Sequence, residues 1–430
     1  MSAEPTSSAT ETRVGDGGAA PSFVRKACLA LHGLLGLLFL YRLADIARRA
    51  EVLATDFVVF FTGWSLIVRG QGSTLYDVEA QRRMQQAIVH PFAFRDGLIA
   101  FLTPPHAALL LSPLGALDVQ VAFYVWTAVQ LGLLIVLARG LLRLCAVEDP
   151  LDRALVVMAT LAFWPTFYTL YIGQLSILLA LAFMQTFNAL AAGHPRRAAC
   201  WLVVLSFKPQ LLPFPLLLLL AWRQYGVLLW TTLFGLMAVG VSSLFLGVTI
   251  WAKYLHHLGQ LEAFFGDGVP RFMMNVRGAV ACLAAMAGGD GDRVATGVAW
   301  LAFAGALPLA YVLWRRAARV VRGPVGRKTG AGAFDLPFAQ ATALALFFSP
   351  HLFMQDTLSW VVPLALFYRR QGRSAAVARF ALCWPTVFAI SVVVDNADPR
   401  RAIFNGALAL IVALVGWLLW ASRLVGAARV

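Results

Sequence analysis

The sequence predicts an all-α protein that crosses a membrane many times, on two observations. Of its 430 residues, 60% are hydrophobic and 13% are charged, a balance typical of integral membrane proteins and not of soluble domains. Apolar segments also recur along the chain, most of them close to the length of about 20 residues that a membrane-spanning helix needs. We therefore expect roughly 10 to 13 transmembrane or re-entrant helices.

The chain divides into a short tail and one membrane domain. Residues 1–22 are rich in Ser, Thr, Gly, Ala and Pro and predict a disordered cytoplasmic tail, which leaves 23–430 as the membrane domain. Its longer apolar segments lie at 27–45, 119–142, 154–172, 175–192, 198–222, 225–247, 294–314, 338–350, 356–368, 375–394 and 402–422. Two shorter ones, at 104–117 and 278–288, are interpreted as re-entrant or interfacial helices.

Short basic loops predict the orientation. The segments 194–197, 315–328 and 368–373 are rich in arginine, and such loops stay in the cytoplasm, which also places both termini there. The loop 46–103 carries several arginines too, but long loops cross largely regardless of charge, so we assign it to the extracytoplasmic side. The net charge of +14 is therefore a topology signal and does not indicate nucleic-acid binding.

Lys208 is the lysine that stands inside an uninterrupted apolar run. An ammonium group at membrane depth costs ~2.5 kcal/mol or more, so such a residue marks a functional site by default. Pro209 removes a backbone donor directly after it, and irregular backbone at this depth is tolerated only where protein or a wet cavity surrounds it. Because 198–222 has arginines at both ends, we interpret it as a broken hairpin with Lys208, Pro209 and Gln210 near its apex.

Further polar residues are predicted on the extracytoplasmic side and, with Lys208, to converge on one cavity between helices. They are Asp56, Gln174, Arg277, His351 and Asp356.

Several of them have simpler interpretations. The Asp56 side chain is in a position to cap the helix that follows it. Gly173 and Gln174 fit an ordinary turn, and His351 fits an interfacial histidine. Asp356 serves equally well to orient the His351 ring or to begin the next helix. No ligand spacing for a metal ion is evident, and the five cysteines indicate neither a disulfide framework nor a zinc site.

The order and spacing of a set of motifs resemble the polyprenyl-phosphate-mannose-dependent mannosyltransferases of glycosyltransferase family 87. The resemblance covers about 27–422, and the motifs are Asp56-Phe57, Gly72 with Leu75-Tyr76-Asp77, Pro104-Pro105, Gly173-Gln174, Lys208-Pro209-Gln210, and Ser349-Pro350-His351 with Asp356. It implies a GT-C membrane fold in a bacterial inner membrane, with the active site on the extracytoplasmic face.

The resemblance also implies roles for individual residues. Asp56 would be the general base on an acceptor hydroxyl, and transfer would invert the anomeric carbon. The other motif residues would bind the donor phosphate or the substrate; they are Tyr76, Asp77, Gln174, Lys208, Gln210, Arg277, His351 and Asp356. The partners would be a polyprenyl-phosphate sugar donor, a glycolipid or glycan acceptor and membrane lipids. No cofactor and no nucleic acid are expected, and a metal requirement is not predicted.

Two other classes of protein remain in view. A transporter of lipids or lipid-linked sugars could use Lys208 as a phosphate site, but it would need a path to both faces, and no internal repeat of the kind common in transporters is apparent. A purely structural membrane subunit would not need a lysine at depth.

Overall fold

The computed structural model describes residues 22–92, 98–260, 264, 269–287, 291–322, 332 and 334–371. These residues form helices and no strand, so the prediction of an all-α polytopic protein is confirmed. The predicted tail 1–22 lies outside the described residues except for its last position, and the predicted spans 375–394 and 402–422 lie entirely outside them.

The α-helices, numbered in chain order, are α1 Ser22–Leu43, α2 Arg49–Leu53, α3 Phe57–Val68, α4 Val78–Val89, α5 Pro105–Leu111, α6 Val119–Cys145, α7 Pro150–Leu161, α8 Trp164–Ile172, α9 Ser176–Ala191, α10 Pro195–Leu205, α11 Pro213–Ala221, α12 Tyr225–Leu246, α13 Ile250–Gly259, α14 Val276–Met286, α15 Asp292–Arg322, α16 Asp335–Phe347 and α17 Val361–Gln371. Short 3₁₀ helices cover Ala44–Ala47, Gly72–Thr74, Ser112–Ala116, Pro209–Leu211, Val269–Phe272 and Met354–Trp360.

Four helices within the described part of the chain are long and apolar enough to cross a membrane. They are α1, α6, α12 and α15, and α7 with α8 forms a fifth if the pair, bent by 43°, is one span. The other apolar segments within the described residues fold as shorter helices packed among these. Of α12, only 11% of the most apolar stretch is buried inside the protein, so most of its surface is available to lipid.

The segment 198–222 is a broken hairpin, as predicted. Its helices α10 and α11 are interrupted at Lys208 and the 3₁₀ turn Pro209–Leu211. Arg197 near the start of α10 and Arg369 near the end of α17 line one cavity. Arg369 also pairs with Asp335 at the start of α16 at 3.6 Å, and the neighbouring Phe334 ring packs 5.1 Å from Trp222, just after α11. Both ends of the hairpin therefore lie at the same end of the bundle.

The described residues of the predicted extracytoplasmic loop 46–103 contain the α-helices α2, α3 and α4, and α3 is buried. Phe57, Trp64 and Phe123 pack edge-to-face there, with ring centroids 5.6 and 5.1 Å from Phe57. This aromatic core fixes the start of α3 against α6. The residue immediately before α3 is Asp56.

Candidate active site

The Asp56 carboxylate faces the turn between α8 and α9. Its Oδ2 accepts a hydrogen bond of 2.8 Å from Gln174 Nε2, and its Oδ1 accepts none among the described residues. Asp56 precedes α3, but its side chain forms no capping bond to that helix. The helix-cap interpretation therefore does not describe this carboxylate, which is half-buried and points to the turn instead.

Gly173 brings this turn close to Asp56. It ends α8 with φ +72°, in the left-handed region, and a Cβ at this position would lie 2.8 Å from the Phe57 side chain. Only glycine satisfies both conditions at low cost. Trp126 on α6 donates from Nε1 to the Gly173 carbonyl at 2.9 Å, which fixes the turn from the other side.

Gln130, one turn after Trp126 on α6, also holds this turn. It is fully buried, and with its amide oriented to satisfy both neighbours it donates to the Gln174 carbonyl at 2.8 Å and accepts from Trp126 at 3.0 Å. Gln174 thus receives a hydrogen bond at its backbone while its side chain donates to Asp56. A buried polar chain of this kind fixes the position of the carboxylate.

Lys208 pairs with Asp356. Its Nζ lies 2.5 Å from Asp356 Oδ1, and the two side chains are 18% and 3% exposed. Ser176, the first residue of α9, donates to the same oxygen at 2.8 Å, and the Phe353 amide donates to Oδ2 at 3.3 Å. Asp356 therefore lies at the start of a 3₁₀ helix, as one of its two interpretations predicted, but its main partners are on α9 and in the hairpin break.

The segment Gly173–Ser176 joins the two carboxylates, since Gln174 holds Asp56 and Ser176 holds Asp356. We call Asp56, Gln174, Ser176, Lys208 and Asp356 the polar cluster.

A loop after α16 places His351 beside Arg277. Met274 N donates to Leu352 O at 2.8 Å, and Asn275 Nδ2 donates to Ser349 O at 2.6 Å, so this loop is bound to the start of α14. Arg277, on the first turn of that helix, is almost completely buried.

The hairpin break reaches the same loop. Gln210 Nε2 donates to the His351 carbonyl at 3.5 Å, and Ser349 Oγ donates to it at 2.8 Å. Lys208 and Arg277 both act electrostatically on His351. The structure thus brings Lys208, Gln210, Arg277 and His351 together at one end of the bundle.

Electrostatics sets the protonation of two groups that lie outside the candidate spans. Burial raises the pKa of the Asp56 carboxyl above its usual value, and the Gln174 hydrogen bond and the charge of Lys208 only partly offset this. Burial, followed by the charges of Arg277 and Lys208, lowers the pKa of His351 to about 3. His351 is therefore neutral near pH 7 and offers a hydrogen bond.

Tyr76 and Asp77, which the motif comparison placed among the substrate-binding candidates, have other partners. Tyr76 donates from its hydroxyl to the Thr103 carbonyl at 2.6 Å and packs against Tyr254 at 5.1 Å. Asp77 accepts from Ala80 N at 2.7 Å and caps α4. None of these partners belongs to the polar cluster.

Three residues that support the cluster were not singled out from the sequence. Ser176, Gln130 and Trp126 stand in apolar helices, where one polar group does not distinguish a functional residue from a packed one. Gln130 does carry a sequence signal, because a glutamine in an apolar membrane helix needs a hydrogen-bond partner, and the structure shows that its amide is fully buried. Within the described residues, no group of three or more His, Cys, Asp or Glu side chains could hold a metal ion.

Comparison with known proteins gives one family. The family model described as glycosyltransferase family 87 matches residues 101–350, which include Gln174, Ser176, Lys208 and Arg277. No curated protein and no solved structure is significantly similar to the chain. The matched segment covers more than half of the 430 residues. The chain therefore belongs to glycosyltransferase family 87 and is a membrane glycosyltransferase.

Proposed function

We propose that this chain is a GT-C-type enzyme that transfers a sugar from a polyprenyl-phosphate donor to a hydroxyl of a glycolipid or glycan. Mannose is the sugar that we propose first. The resemblance to polyprenyl-phosphate-mannose-dependent enzymes supports the donor and the sugar. The observation that carries the proposal is the Asp56 carboxylate, which Gln174 holds by Oδ2 while Oδ1 stays open. A base held in this way beside a lysine suits the transfer of a sugar from a phosphate.

Asp56 acts as general base in the proposed reaction. The acceptor hydroxyl oxygen forms a bond to the anomeric carbon, its proton passes to Asp56 Oδ1, and the bond from that carbon to the phosphate oxygen breaks. The single displacement inverts the anomeric carbon. A carboxyl pKa raised by burial makes Asp56 a stronger base than a solvated aspartate, and this favours proton transfer in the transition state.

The leaving polyprenyl phosphate departs as an anion, so it requires positive charge and hydrogen-bond donors more than a general acid. Lys208 and Arg277 carry the charge, and neutral His351 provides a further donor. Lys208 is paired with Asp356. Because Ser176 and the Phe353 amide also donate to Asp356, each carboxylate oxygen keeps a hydrogen bond when the ammonium turns toward a phosphate.

Transfer is proposed to occur at the extracytoplasmic face of a bacterial inner membrane. Arg197 and Arg369 lie at one end of α10 and α17, and the polar cluster lies beyond the opposite ends of the same helices. Arginine-rich ends face the cytoplasm, so the cluster faces outward.

A donor panel tests the proposal. Purified protein receives labelled polyprenyl-phosphate mannose, glucose, arabinose or galactosamine, each with total membrane lipid as acceptor. We expect labelled glycolipid and an equal amount of free polyprenyl phosphate from the mannose donor, and neither product from the Asp56→Asn variant above a few per cent. Donor recovered intact on the opposite side of a vesicle would instead identify a transporter.

A further inference from the structure

A cavity lies at the end of the bundle opposite the polar cluster. Its volume is about 500 Å³, and it opens between four helices, α6, α9, α10 and α17. The lining side chains that matter here are Arg143, Gln185, Asn188, Arg197, Trp201 and Arg369, and we call this the arginine cavity. None of the described residues that line it is acidic.

The distance from the polar cluster follows from the helices that connect the two. Trp126, which bonds the Gly173 turn, and Arg143 lie about 25 Å apart along α6. Ser176, which bonds Asp356, and Asn188 lie about 18 Å apart along α9. The arginine cavity is thus a separate site near the other membrane surface, and none of its lining residues belongs to the cluster.

Two arginines of the cavity lack an acidic partner among the described residues. Arg369 pairs with Asp335 at 3.6 Å, but among the described residues neither Arg143 nor Arg197 forms an ion pair with an acidic side chain. Both are exposed, and Gln185 and Asn188 add amide donors from α9. Guanidinium groups and amides arranged around a concave surface suit a phosphate oxyanion, which accepts several charge-assisted hydrogen bonds.

Two simpler explanations account for single arginines. Basic residues at this end set the topology, and Arg143 in the last turn of α6 also offsets the helix dipole. Neither explanation requires arginines from three different helices to line one concavity, or requires apolar groups such as Leu144 and Trp201 to share it. A phosphate attached to a lipid fits both features, because the arginines contact the headgroup and the apolar side chains contact its glycerol portion.

We propose that the arginine cavity binds the phosphate group of an anionic phospholipid from the adjoining leaflet. This site is distinct from that of the donor substrate, and it does not depend on the transfer reaction. Binding there would hold α6, α9, α10 and α17 together at the end opposite the polar cluster.

The test uses the full-length protein in an uncharged detergent, with binding followed by calorimetry. The probe is short-chain dihexanoyl-phosphatidylglycerol, and dihexanoyl-phosphatidylcholine and inorganic phosphate are the comparison ligands. We expect saturable binding of one phosphatidylglycerol and weaker binding of the choline lipid. If inorganic phosphate competes at a similar concentration, the cavity binds free phosphate from solution and the lipid assignment is wrong. If it does not compete, the ligand is the phospholipid.

Substitutions locate the binding. Each of Arg143→Gln and Arg197→Gln should weaken phosphatidylglycerol binding about 5-fold and the double variant about 25-fold, since one arginine near an anionic lipid contributes about 1 kcal/mol. Arg196→Gln is the matched control, because Arg196 adjoins Arg197 but lies 4.4 Å over the Trp230 ring and outside the cavity. If the double variant does not fold, the two single variants decide. Affinity as high in these variants as in the control would overturn the proposal.

Discussion

Replacement of Asp56 by asparagine separates catalysis from structure in this enzyme. An asparagine keeps the size of the side chain and a carbonyl oxygen that accepts the bond from Gln174, now 2.8 Å from Asp56 Oδ2. It cannot take up the acceptor's proton. General-base help contributes ~10²- to 10⁴-fold, so the transfer rate of Asp56→Asn should fall by that factor, equivalent to about 2.7–5.5 kcal/mol in the barrier.

Stability should change little in the same variant. The raised pKa of Asp56 means that the fold disfavours the ionised carboxylate, and a neutral amide does not carry this cost. Against that gain, the hydrogen bond from Gln174 goes to a neutral acceptor and loses roughly 1 kcal/mol. We therefore expect a melting temperature within a few degrees of the parent's, and donor affinity close to normal because the proposed donor phosphate contacts lie elsewhere.

The assay measures donor affinity, melting temperature and transfer rate on one preparation. Asp77→Asn is the control, since Asp77 caps α4 through Ala80 N at 2.7 Å and asparagine caps a helix about as well as aspartate. The control should keep the parent rate. Transfer by Asp56→Asn at close to the parent rate would refute the assignment of Asp56 as the general base. A low rate accompanied by loss of folding would show that Asp56 supports the fold and would not support a catalytic role.

Three further predictions concern the ion pair, the pH dependence and the topology. Lys208→Met should cost roughly 3 kcal/mol of stability because it leaves the buried Asp356 carboxylate without its cation. Adding Asp356→Asn to that variant should restore the melting temperature but not the transfer activity. Equal stability of the parent, the single variant and the double variant would contradict this prediction. Transfer should decline as pH falls through the raised pKa of Asp56, and therefore at a pH above the usual 3.8, and a decline only below 3.8 would count against Asp56. In protein without the five native cysteines, an impermeant maleimide should label Ala54→Cys in intact cells and Arg196→Cys only after the membrane is opened, and the opposite pattern would reverse the proposed orientation.

The broken hairpin was predictable from sequence because its signals are local. A lysine in an apolar run, followed at once by a proline, predicts a break in the helix, and arginines at both ends predict that both ends face one side. The structure has the break at Lys208 and both ends at one end of the bundle. The position of Asp56 directly before a buried helix was likewise visible, although its partner was not.

Partners across the fold could not be predicted, because nothing local encodes them. Lys208 and Asp356 are 148 residues apart, and the two interpretations considered for Asp356 involved only His351 or its own helix. For Asp77 the local signal was the better one, since an aspartate before an amphipathic helix is a good cap, and the cap is what the structure contains. The order of the motifs along the chain suggested that Asp77 lies near the site, but the order of residues in a sequence does not determine the distance between them in the fold.

The Lys208–Asp356 pair explains how a lysine is tolerated at the apex of the hairpin, and it is compatible with the proposed binding of the donor phosphate by that lysine. A buried ammonium is expensive unless it is paired, and the carboxylate offsets most of that cost. An ion pair in which the two side chains satisfy only each other would leave the ammonium unable to bind a phosphate. Here, however, Asp356 has two other donors, Ser176 and the Phe353 amide, so its hydrogen bonding survives when the ammonium moves away. Ser176→Ala should therefore weaken donor binding although Ser176 itself contacts no substrate, because Asp356 would then hold Lys208 more tightly. The same variant should keep its melting temperature within a few degrees of the parent's. Donor affinity equal to the parent's would show that Lys208 does not exchange between the Asp356 carboxylate and the donor phosphate.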